Sequence, residues 1–261
     1  MVGTKYLPSL DKVVWEPSEH VADVPVAEQI ALLPSLQLAI RRSRLTVEIL
    51  KRPSDNTTKY ELFQRLNAGG TTANAQELRN CIMIMVNAPY AHFVRELASY
   101  QPFLTALDAS EDQIEKQRDM EYATRFLVHT YVNYDGRLDV EEFIDESIVT
   151  LASAAETRIA GQTFRSTFEL LNDAFGKDAF RRFTNGRPGG RVILVAFECI
   201  AIGIARNIEA IMARDDRIEW VRGRIRQLWE SPGLAGFFAA GLRGTVRIQR
   251  TIPFGTQWFA G

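Results

Sequence analysis

Three arrangements in this chain have residue types and spacings that could do chemistry. In the first, Asn67-Ala-Gly-Gly-Thr joins a short helical pattern, Tyr60 to Leu66, to the start of a longer one. A helix start offers free N–H groups and the positive end of the dipole, so this turn could hold a phosphate. Against that, Asn67 or Gly69 could simply supply the left-handed residue that ends a helix. Glu77, in the first turn of the next helix, would repel an anion, and the Gly-Lys-Ser/Thr of a P-loop does not follow. In the second, Asn133-Tyr-Asp135-Gly136-Arg-Leu-Asp139-Val-Glu-Glu142 fits much of a calcium loop. Tyr131 stands where the first carboxylate ligand belongs, so a helix–turn–helix corner capped by Asp139 is the simpler reading. The third is basic: Arg243, Arg247 and Arg250 could meet nucleic acid, while the arginines of Arg217–Trp229 flank an apolar face on both sides, as snorkelling stems do.

Other chemistry lacks its residues. His20, His92 and His129 lie far apart in unrelated contexts, and no His-Glu-x-x-His or Cys-x-x-Cys cluster exists. A nucleophile elbow is missing as well, so nothing supports a Ser/His/Asp or Cys/His system, whose members meet only in space. Cys81 and Cys199 both sit in apolar helical contexts, as buried thiols of a reducing compartment would.

The elements that must position these residues are nearly all helical. Pro8, Pro17 and Pro25 mark residues 1–26 as an extended arm. A helical pattern from Ala27 to Ser43 breaks at Leu33-Pro34, because the residue before proline avoids the α region. Leu45-Thr-Val-Glu-Ile-Leu alternates and is the best strand candidate. Asn74 and Glu77 have capping-box spacing, and Leu78, Cys81, Ile82, Met85 and Val86 define one buried face up to Pro89. Further helices are expected over Tyr90–Ser99, Glu111–Tyr134, Val140–Ile159, Thr163–Phe175, Val192–Met212 and Arg217–Trp229, with the clearest loop at Asn185–Gly190. Val246-Arg-Ile-Gln-Arg-Thr-Ile alternates, which suggests a terminal strand. The fold class expected is mainly α: a multi-helix globular bundle with a small β element near the amino terminus.

Bulk composition narrows the classes. Hydrophobic residues are 46% and charged residues 24% of the 261, an ordinary globular balance. Net charge is −1, yet residues 187–261 hold 11 Arg against 6 Asp/Glu, so a basic tail follows an acidic body. The longest apolar stretch, Val192 to Ala205, is interrupted by Glu198 and is shorter than the roughly 18 residues of a membrane span. The amino terminus has no apolar signal-peptide core. A cytoplasmic protein without membrane partners is expected.

The segment Glu61-Leu-Phe63-Gln-Arg65-Leu66-Asn67-Ala-Gly69-Gly70-Thr71, followed by Gln76-Glu77-Leu78-Arg79-Asn80, resembles a bacterial family. It is the ParB-like family that forms the amino-terminal part of GmrSD-type restriction enzymes. Lys5-Tyr-Leu-Pro and Val47-Glu-Ile sit where that family has its later strands, and Arg118-Asp-Met-Glu-Tyr-Ala-Thr-Arg125-Phe126-Leu127 is similar to one of its helices. Ala73 and Asn74 replace the family's usual Leu and Ser. The family's Asp-Gly-Gln-Gln-Arg turn, linked to nucleotide hydrolysis, is absent, and no His-Asn-His-type nuclease segment follows.

The resemblance therefore implies the carboxy-terminal portion of such a protein: residues 1–72 a remnant of the ParB-like α/β subdomain, and 73–261 a helical domain. It implies a subunit of a restriction or phage-defence system, with no catalytic residues and no cofactor of its own. Arg65, Asn67, Gly69, Gly70, Glu77 and Arg79 would line or brace a nucleotide site completed by a ParB-like or nuclease partner, with nucleotide and a divalent metal entering only in that complex. The alternative is a non-enzymatic helical module that binds DNA or a protein through its basic carboxy-terminal region.

Overall fold

The structure, a computed structural model, describes residues 10–21, 24–44, 73–154, 157–184, 186–238 and 243–261. The chain divides into two compact units, Met1–Pro53 and Ser54–Gly261. The strand candidate at Leu45–Leu50 and the helix pattern at Tyr60–Leu66 lie outside the described residues.

In the first unit, β1 (Val13–Val14) pairs in parallel with β2 (Ile30–Ala31). Gln29 ties the connection between them: its side chain donates to the carbonyls of Ser18 and Val24 at 2.9 and 2.8 Å and accepts from Ser18 N at 2.8 Å. Leu33 is extended, as its position before proline requires, and α1 (Pro34–Arg42) starts with that proline, whose missing N–H costs nothing in the first turn. Gln37 donates to the Trp15 carbonyl at 2.6 Å, and the Arg41 guanidinium lies over the Trp15 ring.

The second unit is helical. α2 (Ala75–Ala98) is interrupted at Asn87, whose φ of −157° and ψ of 95° are non-helical. Pro89 is the cause, since it lacks an N–H and crowds the preceding turn. Asn87 restarts the helix by accepting from Tyr90 N at 3.2 Å, and its Nδ2 donates to the Ala152 carbonyl at 2.8 Å. α3 (Gln101–Leu107) and α4 (Glu111–Glu115) follow, the latter opened by a Ser110/Gln113 capping box. α5 (Arg118–Tyr131), α6 (Val140–Ala154) and α7 (Thr157–Phe175) complete the first half. Phe103, Phe126, Phe164 and Phe168 form its aromatic centre, with ring centroids 4.5 to 5.2 Å apart.

An antiparallel hairpin, β3 (Arg182–Thr184) and β4 (Arg187–Gly189), leads to α8 (Leu194–Arg206), which is buried from Val195 through Ala205. The short α9 (Ile208–Met212), then α10 (Arg217–Glu230), α11 (Pro232–Ala235) and α12 (Gly244–Trp258) complete the unit. The terminal strand expected at Val246–Ile252 is therefore corrected to helix. Its alternation misleads because Ile248, Thr251, Ile252 and Gly255 also fall at i, i+3, i+4 and i+7, and it is these four that are buried. α12 lies against α8 at glycine contacts: a Cβ on Gly203 would stand 2.5 Å from the Gly255 carbonyl oxygen. Among the described residues the fold is mainly α, with twelve α-helices, and no helix is long and apolar enough to cross a membrane.

Candidate functional site

Arg65, Asn67, Gly69 and Gly70 lie outside the described residues; Glu77 and Arg79 do not. Asn74 is exposed at the start of α2 and forms the capping box that its spacing predicts. Its Oδ1 accepts from Glu77 N at 2.9 Å, and Glu77 Oε2 accepts from Asn74 N at 2.7 Å. The Glu77 carboxylate is thus used on the helix end. One turn on, Arg79 is almost wholly buried. Its Nε donates to Asp145 Oδ1 at 2.7 Å and its Nη2 to Glu141.

Arg79 opens a chain of charges that ties three helices together. Glu141 Oε1 accepts from Arg125 Nη2 at 2.8 Å, Arg125 Nε donates to Glu121 Oε1 at 3.0 Å, and Glu121 Oε2 meets Arg118 at 3.2 Å. Burial pushes the Glu141 carboxyl up, but Arg79 and Arg125 outweigh it and hold the group below the usual carboxylate range. Beside this chain, Gln76 donates to Thr124 at 3.2 Å, and Asn80 donates to Gln117. Glu77 and Arg79 are thus both engaged by the protein's own groups. Among the described residues no three His, Cys, Asp or Glu side chains gather as a metal would need.

The calcium-like loop has ordinary corner contacts. Asn133 Oδ1 accepts from Arg206 at 3.2 Å, Asp135 Oδ1 accepts from Arg137 N at 3.0 Å, and Gly136 takes the left-handed φ of 81°. Phe143 N donates to the Asp139 carbonyl, which puts Asp139 at the start of α6.

The carboxy-terminal arginines separate. Arg243 and Arg250 are exposed, at the start and in the middle of α12. Arg247 turns inward, its Nε 3.1 Å from Glu198 Oε2 and its Nη2 3.0 Å from Glu198 Oε1; Thr251 Oγ1 donates to Glu198 Oε2 at 3.0 Å. Glu198 is buried in α8, so this pair answers the one charge in the long apolar stretch. In α10, Arg222 donates to the carbonyls of Ala174 and Asp173, and Arg224 lies 4.5 Å over the Trp258 ring.

His129 is buried, stacked on Phe143, and neither ring nitrogen has a hydrogen-bond partner. Burial, with Arg125, Arg206 and Arg247 nearby, lowers its pKa to about 3 despite Glu141. The ring is therefore a neutral packing group at physiological pH.

The first unit has a different feature. Leu36 and Ile40 fall at i and i+4 on one side of α1, with Leu33 at its N-cap; they are exposed by 47, 51 and 63%, and Leu38 on another side of the helix and Ile30 before it by 47 and 56%. α1 contains no buried residue at all. An amphipathic helix whose apolar stripe stays wet lacks the burial that normally stabilises it.

Sequence reasoning missed several of these residues. Glu198 stood out as a charge among apolar neighbours, but Arg247, 49 positions away, had no local mark as its partner. Arg125, Glu141 and Asp145 likewise meet Arg79 only through packing. Comparison of the chain with protein-family models, with curated proteins and with solved structures returned no match.

Proposed function

We propose that this chain is a non-catalytic helical subunit that completes a ParB-like, nucleotide-hydrolysing half supplied by another chain of a bacterial restriction or phage-defence system. The observation that carries this reading is the apolar stripe of Leu36 and Ile40 on α1, with Leu33 at its N-cap, which no described residue buries. It lies where the resemblance places the remnant of an α/β subdomain, and a fragment of such a domain needs the missing part to cover its apolar side. The bracing of Arg79 by Asp145 and Glu141 supports the reading too, since it ties α2, which follows the Asn67–Thr71 motif in the sequence, to α6.

The test is to mix this chain with a ParB-like chain that carries the Asp-Gly-Gln-Gln-Arg turn and measure mass by light scattering together with nucleotide hydrolysis. The reading expects a stoichiometric complex that hydrolyses nucleotide faster than either chain alone, and that Leu36→Asp prevents. Two separate masses at micromolar concentration, with hydrolysis unchanged, would refute it.

A further inference from the structure

Residues 179–197 hold four arginines and no acidic residue. The register of the β3–β4 hairpin assigns a face to two of them, Arg182 and Arg187. Phe183 meets Phe175 with ring centroids 5.2 Å apart, so Phe183 and its cross-strand partner Pro188 share the side turned to α7. Alternation then puts Arg182, Thr184, Arg187 and Gly189 together on the outward side. Gly189 faces Arg182 across the ladder, and nothing stands within 4 Å of where a Cβ would be on Gly186, Gly189 or Gly190. The outer surface is open to close approach.

That surface is a shallow concavity of about 730 Å³ containing Arg182, Arg187 and Arg191, floored by Val192 to Leu194 and without a carboxylate. All three arginines are exposed, and among the described residues none has an ion-pair partner. Arg181, one residue before, shows the contrast: it is neutralised by Asp108 and Asp178. Three guanidinium groups within ten residues and without an ion pair create a local positive potential.

We propose that the outer face of this hairpin, through Arg182, Arg187 and Arg191, contacts the sugar-phosphate backbone of a nucleic acid. The guanidinium fork matches phosphate oxygens two at a time, and the glycines let a backbone come close. A protein interface would want aromatic or methionine anchors at its centre, and the lining has none. Phe183, the only aromatic residue of the hairpin strands, is turned away, so no ring is offered for base stacking and the contact is independent of sequence. On α12, by contrast, Arg247 is committed to Glu198.

Fluorescence anisotropy of the full chain alone, with labelled duplex DNA, single-stranded DNA and polyglutamate, tests it. Both DNAs should bind at low salt. The triple variant Arg182→Ala/Arg187→Ala/Arg191→Ala should bind at least about tenfold more weakly, and the slope of log K against log salt should flatten by about 2 to 3. Arg243→Ala/Arg250→Ala should behave as wild type. The triple Arg→Lys variant, which keeps the charge, should keep the salt slope, and this guards against a folding defect in the alanine variant. Failure of the wild-type chain to bind either DNA, an unchanged affinity in the alanine variant, or a flattened slope in the lysine variant would overturn the proposal. Tighter binding of polyglutamate than of DNA would overturn it in favour of an acidic protein. Because the assay contains no partner, its failure leaves the completion reading untouched.

Discussion

The buried polar side chains of the helical unit are arranged so that nearly every charge has a specific counter-charge. Glu198 has Arg247 and Thr251; Arg79 has Asp145 and Glu141. Such pairs cost more to break than they contribute when intact, because removing one member strands the other in a poor solvent. His129 departs from this rule, because it is buried neutral with no partner at either nitrogen. Its folded pKa of about 3 lies below the ordinary 6.5, so the unfolded chain takes up the proton first. Stability from this group is complete above about pH 6.5 and falls toward pH 3, by about 1.4 kcal/mol per pH unit. Glu141, held low, adds to the loss below its ordinary value, whereas Asp119, raised by burial, works in the opposite sense near the same range. Urea melts at pH 7.5 and 5 avoid most of that carboxylate range. Between those two conditions the wild type should lose about 2 kcal/mol and His129→Phe much less. An equal loss in both proteins would show that His129 is not the group responsible.

Helix packing is close where α8 crosses α12. A Cβ on Gly255 would run into the backbone of Cys199, and backbone cannot swing aside as a side-chain tip can. Gly255→Ala should therefore cost stability near the top of the overpacking range, about 3 kcal/mol, read as a fall in thermal midpoint. An unchanged midpoint would mean that the two helices are not in this register. Neither glycine announced this in the sequence, where each is simply a poor helix former. What the sequence displayed well were features set by neighbours in the chain. The Asn74/Glu77 capping box, the helix start at Pro34 and the α10 limits appear close to what was expected, whereas the helical pattern read before Pro34 is a 3-10 turn at Val26–Glu28 followed by β2. Features set by distant residues were hidden, and Val246–Ile252 shows why: seven residues fit a strand and a helix equally, and only the groove on α8 decides between them. The hairpin was visible as a glycine-rich loop, but its basic face depends on which way Phe183 turns.

At the scale of the molecule, the two units differ in how completely they bury themselves. The helical unit has one continuous apolar core running from α2 to α12. The first unit, in its described residues, buries Val13, Val14 and Leu32 while leaving an apolar stripe on α1 in water. That difference among the described residues is the basis for proposing a partner that covers the stripe on α1. Hydrogen exchange addresses the point directly, because a helix that buries none of its own residues opens readily. The amides of residues 34–42 should exchange quickly in the chain alone and become strongly protected when the ParB-like partner is added. Protection already present in the isolated chain, or exchange unaltered by the partner, would contradict the account.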